Sequence, residues 1–318
     1  MFAIIKHKGS EIMPKTIIIG STTADLIIHV PFLPKSTEDL NITKQQMQLG
    51  GCAYNISHMH HLFQLSYTLC TPEGTGPFGE FIKNELAKKN IDLPIKTDRE
   101  CGVCICSIEE DGERTFMAYH GVEYDFNKEW MKQIDVSDAN AVYICGLEIE
   151  EECGEQIIDY LEQNPKWQVY FSLGPRLLHI PSDRIKRIFR LSPVIHLNEK
   201  EAYTFTKTTT VEEAAKIISS QTSNDVIITL AEKGAYLYSN SQGKVFPGYL
   251  AKVSDTIGAG DSHFGTYISA LALGYDKEEA MDLANYIASK VVSITGASLD
   301  EKLFTKIYAD YRNLIANK

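Results

Sequence analysis

The chain reads DTIGAGD at residues 255–261 and continues directly into an apolar segment of helical spacing, Ser262 to Leu273. Small residues immediately before a helix let backbone N–H groups approach an anion, and the helix N-terminus adds partial positive charge. The stretch therefore predicts an oxyanion and phosphate cradle. At its edge, Asp261 is poorly placed to bind phosphate but well placed to accept a proton from a hydroxyl that attacks phosphorus. Capping of the helix is the simpler role for the same carboxylate.

Two other nucleotide-binding motifs share part of this pattern. Gly258 and Gly260 begin the G-x-G-x-x-G of dinucleotide-binding folds, but His263 stands where the third glycine is needed, and no acidic residue follows in a βαβ unit. The Walker phosphate loop requires Gly-Lys-Ser/Thr, which the sequence lacks. The dinucleotide interpretation is therefore disfavoured and the Walker interpretation fails.

A glycine pair opens an earlier predicted helix. Gly50 and Gly51 permit positive φ and the close approach of a ligand, and Asn55 offers both a donor and an acceptor to adjacent hydroxyls. Asp25 follows the first strand, at the carboxyl edge where parallel sheets bind ligands. Taken singly, Asp25 is more often a turn residue and the glycines a plain helix entry. Together these residues predict a polyol pocket.

Short apolar segments alternate with amphipathic ones along most of the chain. Thr16 to Gly20 and Tyr67 to Cys70 have the pattern of strands, and Phe78 to Lys89 has that of a helix. This alternation predicts βαβ units and a parallel sheet covered on both faces. A turn at residues 110–113 predicts a hairpin, which would pair with the segment near Ile42 into a small sheet placed as a lid.

Charge and composition argue against two classes of partner. The chain has 31 Lys and Arg against 42 Asp and Glu, a formal net charge of −11 at pH 7. Such a chain lacks the attraction to phosphate backbones and anionic membranes that drives non-specific binding, so we expect neither nucleic acid nor membrane as a partner. Residues 1–13 read as a short extension, since Lys6, His7 and Lys8 interrupt any apolar signal region. Seven scattered cysteines favour a reducing cytoplasm.

The motifs at residues 50–55 and 255–261 resemble the two signatures of the ribokinase-like sugar kinases of the phosphofructokinase B type, over about Lys15 to Lys302. The resemblance implies an α/β fold of three layers, α/β/α, with a mostly parallel central sheet and a small β-sheet lid. It implies a main nucleotide- and substrate-binding domain at residues 1–30, 47–97 and 121–318, and a lid at residues 31–46 and 98–120.

The resemblance also implies roles for individual residues. Asp261 would be the catalytic base, and the anion hole would consist of Gly258, Ala259 and Gly260. Substrate contacts would come from Asp25, Gly50, Gly51 and Asn55. Nucleotide contacts would come from Asn198, Thr229, Lys233, Gly234 and Asn285. Glu201 would hold Mg²⁺ through water, and a monovalent cation such as K⁺ would lie near Asp255, Ile257 and Gly296. An amide and a carboxylate three positions apart suit a hydrated hard cation, although a solvated helix face is the commoner cause.

The predicted function is ATP-dependent phosphorylation of a hydroxymethyl group of a small sugar, with Mg²⁺ and, as a further option, K⁺. A nucleoside kinase of the pseudouridine or adenosine type is the alternative. A sugar-binding regulatory protein without turnover is a third, which the intact Asp261 weighs against. Some family members dimerise through the lid, so a homodimer is a further option.

Three positions depart from the family pattern. Ala231 replaces a glycine, Gly76 replaces a frequent aspartate, and Cys52-Ala53 replaces Lys-Gly. The last change removes a cation and favours an unphosphorylated substrate.

Two clusters have part of a metal-binding spacing. Cys101, Cys104 and Cys106 lack the second pair that a zinc site needs, and His58 and His61 lie one helical turn apart. Buried thiols and packed imidazoles are the simpler interpretation of both.

Overall fold

The structure is a computed structural model that describes residues 15–294 and 299–317. The predicted extension at residues 1–13 and the predicted cation contact Gly296 lie outside the described residues.

Strands and helices alternate as the sequence pattern predicts. The strands are β1 (Lys15–Ile19), β2 (Thr23–His29), β3 (Lys44–Gly50), β4 (Tyr67–Cys70), β5 (Pro72–Thr75), β6 (Ile95–Glu100), β7 (Val103–Ile108), β8 (Arg114–Tyr119), β9 (Ala139–Cys145), β10 (Gln168–Ser172), β11 (Val194–Asn198), β12 (Val226–Thr229), β13 (Gly234–Ser239) and β14 (Gln242–Pro247). The helices are α1 (Cys52–Leu62), α2 (Gly76–Lys88), α3 (Gly146–Glu150), α4 (Gly154–Glu162), α5 (Ser182–Arg190), α6 (Glu199–Thr206), α7 (Val211–Thr222), α8 (Ala259–Ala272), α9 (Lys277–Val291) and α10 (Glu301–Ala316).

The main sheet has eight strands in the order β14-β13-β12-β11-β10-β9-β1-β4. The six strands from β12 to β4 are parallel, and β13 and β14 add an antiparallel edge. Ile17 and Ile18 are both fully buried but belong to apolar clusters on opposite faces of the sheet. Because successive side chains of a strand point to opposite faces, a sheet covered on both sides needs such continuous apolar strands. The predicted three-layer α/β/α arrangement is confirmed.

A second sheet has four strands in the order β3-β2-β7-β8 and is called the small sheet below. The predicted hairpin is present, with Ile108 paired to Arg114 at its turn. The predicted pairing of this hairpin with the segment near Ile42 is wrong, because β2 lies between them. Residues 23–29 and 47–50, which the prediction placed in the main domain, therefore belong to the small sheet. In β2, buried side chains are interspersed with half-buried ones, whereas the side chains of β1 are buried almost continuously. The pattern of β2 suits a sheet with one face open to solvent. The predicted domain boundaries otherwise stay a prediction.

In the described ranges, no helix is long and apolar enough to cross a membrane.

Candidate active site

Helix α8 begins at the small-residue stretch that opened the sequence argument. Gly258 is its N-cap residue, with a left-handed φ of 67° and no side-chain cap. Asp261 therefore lies in the first turn and does not cap the helix, so the capping interpretation is wrong. The carboxylate of Asp261 instead accepts a hydrogen bond of 2.8 Å from Asn55 Nδ2. This contact joins the first turn of α8 to helix α1, the helix that follows the glycine pair.

The environment of Asp261 raises the pKa of its carboxyl group towards neutral pH. Burial raises the pKa of Asp261 to about 6, the charges of Glu201 and Asp25 add to the rise, and hydrogen bonds from Asn55 and Cys52 oppose it. A carboxylate with this pKa is ionised above pH 7 but is a stronger base than an exposed aspartate. The position can therefore hold a general base.

Asp25 follows the first strand as predicted, but it lies within β2 of the small sheet, so the alternative that it is a turn residue is wrong. Thr23 Oγ1 donates a hydrogen bond of 2.6 Å to Asp25 Oδ1, and burial raises the pKa of Asp25 to about 6. A Cβ atom added at Gly50 would fall 1.9 Å from Asp25 Oδ2, so the carboxylate lies directly against that glycine. Gly51 has a φ of 93°, and its added Cβ would meet Ser21 O at 2.4 Å. Both glycines are thus required by their surroundings.

Glu148 is a site residue that the sequence reasoning missed. It follows β9 in the short helix α3, is 2 % exposed, and its Oε1 accepts a hydrogen bond of 2.8 Å from the N–H of Ser21. Its Oε2 is buried without a hydrogen-bond partner among the described residues. Burial raises the pKa of Glu148 to about 7, and the charge of Asp261 adds to the rise. Its place just past the carboxyl end of a parallel strand was the available signal.

Cys52 begins helix α1 immediately after the glycine pair. A hydrogen bond with Cys145, burial, and the charges of Asp261 and Glu148 all raise the pKa of the Cys52 thiol. The position therefore holds a neutral thiol beside the two carboxylates.

The residues predicted to bind the nucleotide lie at the carboxyl edge of the main sheet. Thr229 ends β12, and Gly234 begins β13 with a φ of 99° and an added Cβ only 2.1 Å from Phe246 O. Ala231 has a φ of 51°, in the left-handed region that favours glycine, which explains why a glycine is expected there. The carbonyl of Lys233 accepts a hydrogen bond of 3.1 Å from Gly248 N–H.

Asn285 is 5 % exposed and lies behind this edge. Its Nδ2 donates to Phe246 O at 3.0 Å and to Pro247 O at 3.2 Å, and its Oδ1 lies 3.1 Å from His263 Nε2. An amide oxygen only accepts, so His263 carries its proton on Nε2, and its Nδ1 accepts from His196 Nε2 at 3.2 Å. The side chain of Asn285 therefore supports the end of β14, next to the predicted nucleotide position.

Asn198 and Glu201 form a reciprocal cap at the start of α6. Glu201 N–H donates to Asn198 Oδ1 at 2.8 Å, and Asn198 N–H donates to Glu201 Oε2 at 2.9 Å. Burial raises the pKa of Glu201. In the part of the chain that the structure describes, no group of three His, Cys, Asp or Glu side chains could hold a metal ion. A single carboxylate beside phosphate oxygens and water is nevertheless the way Mg²⁺ is commonly bound.

The remaining cysteine and histidine clusters have other contacts. Cys104 and Cys106 lie on β7, where burial raises the pKa of both thiols. His58 Nε2 lies 2.7 Å from Leu299 O, and His61 Nε2 lies 3.3 Å from Glu301 Oε1. Both imidazoles thus contact the residues around the start of α10.

Asp255 is 2 % exposed at the start of the small-residue stretch. Its Oδ1 accepts a hydrogen bond of 2.8 Å from Ile257 N–H and lies 2.9 Å from Arg114 Nη1 of the small sheet. Of the three residues predicted around a monovalent cation, Asp255 and Ile257 are thus adjacent.

A sequence profile described as pfkB family carbohydrate kinase matches residues 13–302. The chain belongs to this family. The pfkB-family chain is 31 % identical over 284 residues to the uncharacterized sugar kinase YegV of Escherichia coli K12, and the match covers 88 % of each protein.

Two solved structures are similar to the pfkB-family chain throughout. Ribokinase of Arabidopsis thaliana, complexed with ribose and ATP, has a TM-score of 0.76 and 20 % identity and is matched over 98 % of its length and 93 % of this chain. The nucleoside kinase of Burkholderia thailandensis, complexed with inosine, has a TM-score of 0.78 and 17 % identity, over 97 % of its length and 95 % of this chain. At these identities the likeness shows the fold, and it confirms the predicted ribokinase-like class.

Proposed function

We propose that this chain transfers the γ-phosphoryl group of ATP to a hydroxymethyl group of a small, unphosphorylated sugar. The observation that carries the proposal is the contact between Asn55 and Asp261, at 2.8 Å. It holds a partly buried carboxylate of raised pKa, in the first turn of α8, against helix α1, which follows the glycine pair. A proton acceptor for the sugar and donors for the phosphate are thereby adjacent.

The chemistry assigned to this arrangement is general-base catalysis with electrostatic stabilisation. Asp261 would accept the proton of the attacking hydroxyl, and the amide of Asn55 would keep one carboxylate oxygen directed. Backbone N–H groups of Gly258, Ala259 and Gly260, together with the N-terminus of α8, would stabilise negative charge on the transferring group. In this structure the N–H of Ala259 donates to Thr256 O at 3.3 Å, so this donor would exchange that partner for the phosphate.

The pocket on the sugar side supports a neutral polyol. The partly buried Asp25 and the buried Glu148 both have raised pKa values, and Glu148 Oε2 has no hydrogen-bond partner within residues 15–294 and 299–317. A carboxylate can accept hydrogen bonds from two hydroxyls, whereas it repels a phosphate group. The thiol of Cys52, in place of a lysine, likewise offers no charge to a phosphorylated sugar.

ATP as the donor is supported by the fold shared with a ribokinase complexed with ATP. We assign Mg²⁺ to Glu201 and Asn198, through water, where it would neutralise phosphate charge. No step is assigned to K⁺, because Arg114 already neutralises Asp255 and Gly296 lies outside the described residues.

A nucleoside is the second candidate substrate. Phe116 is 55 % exposed, and its cross-strand pairing places it on the face of the small sheet that carries Asp25. An exposed ring at that position could stack on a base. The structural neighbour complexed with inosine shares the fold.

We propose that the small sheet acts as a lid, excluding water that would otherwise hydrolyse ATP.

The homodimer through the lid stays a prediction. Exposed side chains of the edge strand β8, among them Met117 and Tyr119, are the surface through which a second copy would pair, and light scattering tests it. The cytoplasmic location also stays a prediction, resting on seven free thiols.

The deciding experiment measures ADP formation across a panel of free sugars, sugar phosphates and nucleosides, and identifies each phosphorylated product by mass spectrometry. We expect turnover with a free sugar and none with sugar phosphates. Turnover with nucleosides alone would favour the second candidate, and ligand binding without turnover would support a regulatory protein instead.

A further inference from the structure

Arg114 connects the small sheet to the stretch that precedes residues 258–260, which are called the anion loop below. It is the first residue of β8, and its Nη1 lies 2.9 Å from Asp255 Oδ1 and donates to Thr256 Oγ1 at 2.9 Å. The Arg114 side chain is only 18 % exposed, whereas the last four residues of β8 are exposed. The strand is therefore anchored at the end nearest the anion loop.

The ion pair acts on the geometry of the loop through one oxygen atom. Asp255 Oδ1, which Arg114 contacts, also accepts the N–H of Ile257 at 2.8 Å. Ile257 directly precedes Gly258, whose left-handed φ starts helix α8. The backbone N–H of Asp255 is held in turn by Val292 O at 3.1 Å. The carboxylate of Asp255 therefore holds the turn that leads to the anion loop. A displacement of Arg114 would move this carboxylate and change the turn.

The guanidinium group suits this role better than a simple point charge. Its planar fork lets one nitrogen bridge two acceptors in a fixed direction. Its Nε is buried and has no hydrogen-bond partner among the described residues. A buried donor without a partner is costly, so the group retains capacity that a ligand or a closer lid would use.

We propose that Arg114 is a positioning residue that makes the geometry of the anion loop depend on the position of the small sheet. The loop is then set for phosphoryl transfer when the small sheet lies over the sugar. This inference rests on the proposed kinase function for its catalytic consequence, but its structural part is testable without turnover.

The test compares Arg114→Gln and Arg114→Lys with a matched control, Arg99→Gln. Arg99 lies on β6 and forms an ion pair with Asp125 at the surface, with 59 % of its side chain exposed. We expect Arg114→Gln to lower kcat by about 10- to 100-fold, to leave KM for the sugar within about twofold, and to form more ADP than sugar phosphate. Arg114→Lys should recover part of kcat, and Arg99→Gln should match the unaltered protein.

Hydrogen–deuterium exchange of residues 256–261 in the nucleotide-free protein supplies a readout besides activity. We expect faster exchange there in Arg114→Gln and partial restoration in Arg114→Lys. Unchanged exchange together with unchanged kcat and one ADP per sugar phosphate would overturn the inference. Equal losses of kcat in Arg114→Gln and Arg114→Lys, together with faster exchange throughout the protein, would also overturn the inference. That result would indicate that Arg114 has a purely structural role. If the unaltered protein has no turnover, the proposed function fails, and exchange in the three variants still decides the structural part.

Discussion

Asn55 and Asp261 are separated by 206 positions in the chain, yet the amide of Asn55 donates a hydrogen bond of 2.8 Å to Asp261 Oδ2. This bond opposes the effect of burial on the pKa of Asp261. It also joins the helix after the glycine pair to the helix after the anion loop. Two stretches of sequence thereby form one site.

Asn55→Leu should raise the pKa of Asp261 further, because it removes a hydrogen bond that stabilises the charged form. The acid limb of the kcat profile, expected near pH 6, should move up by about one pH unit. Activity falls as pH decreases through this limb, since a protonated Asp261 cannot accept a proton. Steady-state kinetics from pH 5 to 9 measures the shift. Ser57→Ala, on the same helix, is the control, and an unshifted limb in Asn55→Leu would contradict the assignment.

Gly50→Ala and Gly51→Ala should fail in different ways. The methyl group that Gly50→Ala introduces would displace the side chain of Asp25, so we expect a folded protein whose KM for the sugar is raised by about 10-fold or more. The methyl group that Gly51→Ala introduces would collide with the backbone of Ser21, and residue 51 has a positive φ that alanine rarely adopts. We therefore expect Gly51→Ala to lower the stability of the folded protein. Thermal melting and separate KM values for sugar and ATP distinguish the two. A normal sugar KM in Gly50→Ala would exclude Asp25 from the pocket.

Glu148→Gln should stabilise the folded protein at high pH while weakening sugar binding. The folded-state pKa of Glu148 is raised by burial from 4.5 to about 7. Below pH 4.5 the group is protonated whether the protein is folded or unfolded, so the variant gains nothing there. As pH rises from 4.5 to about 7, the unfolded chain ionises at Glu148 while the folded protein keeps the proton, so the stability of the folded protein falls relative to the variant and reaches its lowest level above about pH 7. We expect a gain in unfolding free energy on the order of 1–3 kcal/mol at pH 8.

Urea titrations at about pH 5 and 8 measure that gain. Equal midpoints for the two proteins at both pH values would show that Glu148 is not ionised at a cost in the folded state.

Local sequence pattern was sufficient for the elements that hold the phosphate side. The small residues predict a helix from Ser262, and the structure begins α8 earlier, at Ala259, so that Gly260 and Asp261 lie in its first turn. Asp25 was expected after the first strand, at the edge of the main sheet, whereas it lies within a strand of the small sheet. Hydrophobic periodicity reports that a strand is buried and does not report its neighbours, which depend on contacts distant in sequence.

The same limit explains the side chains that were missed or placed differently. Glu148 stands in a short helix with no motif around it, and its importance lies in the burial that surrounds it. Asn285 has the position expected of a base contact, yet its amide is engaged by Phe246, Pro247 and His263. Such contacts join β14, α8 and α9, and spacing along one of these elements does not reveal them.

Glu201→Gln separates metal binding from helix capping. Gln can accept the N–H of Asn198 as Glu does, so the cap and the melting temperature should be retained. The lost carboxylate should raise the Mg²⁺ concentration needed for half-maximal activity by about 10-fold. Mg²⁺ titration at fixed ATP gives the value. An unchanged requirement in a stable variant would leave Glu201 as a capping residue only.

The central claim is that Asp261 is the general base of phosphoryl transfer. Asp261→Asn keeps the size of the side chain and a hydrogen-bonding group near Asn55 but cannot accept the proton. The single most direct measurement is kcat of this variant with the acceptor identified by the panel, alongside calorimetric binding of that acceptor. We predict a fall in kcat of about 10²- to 10⁴-fold with acceptor affinity changed by less than about threefold. Turnover at the rate of the unaltered protein would contradict the account.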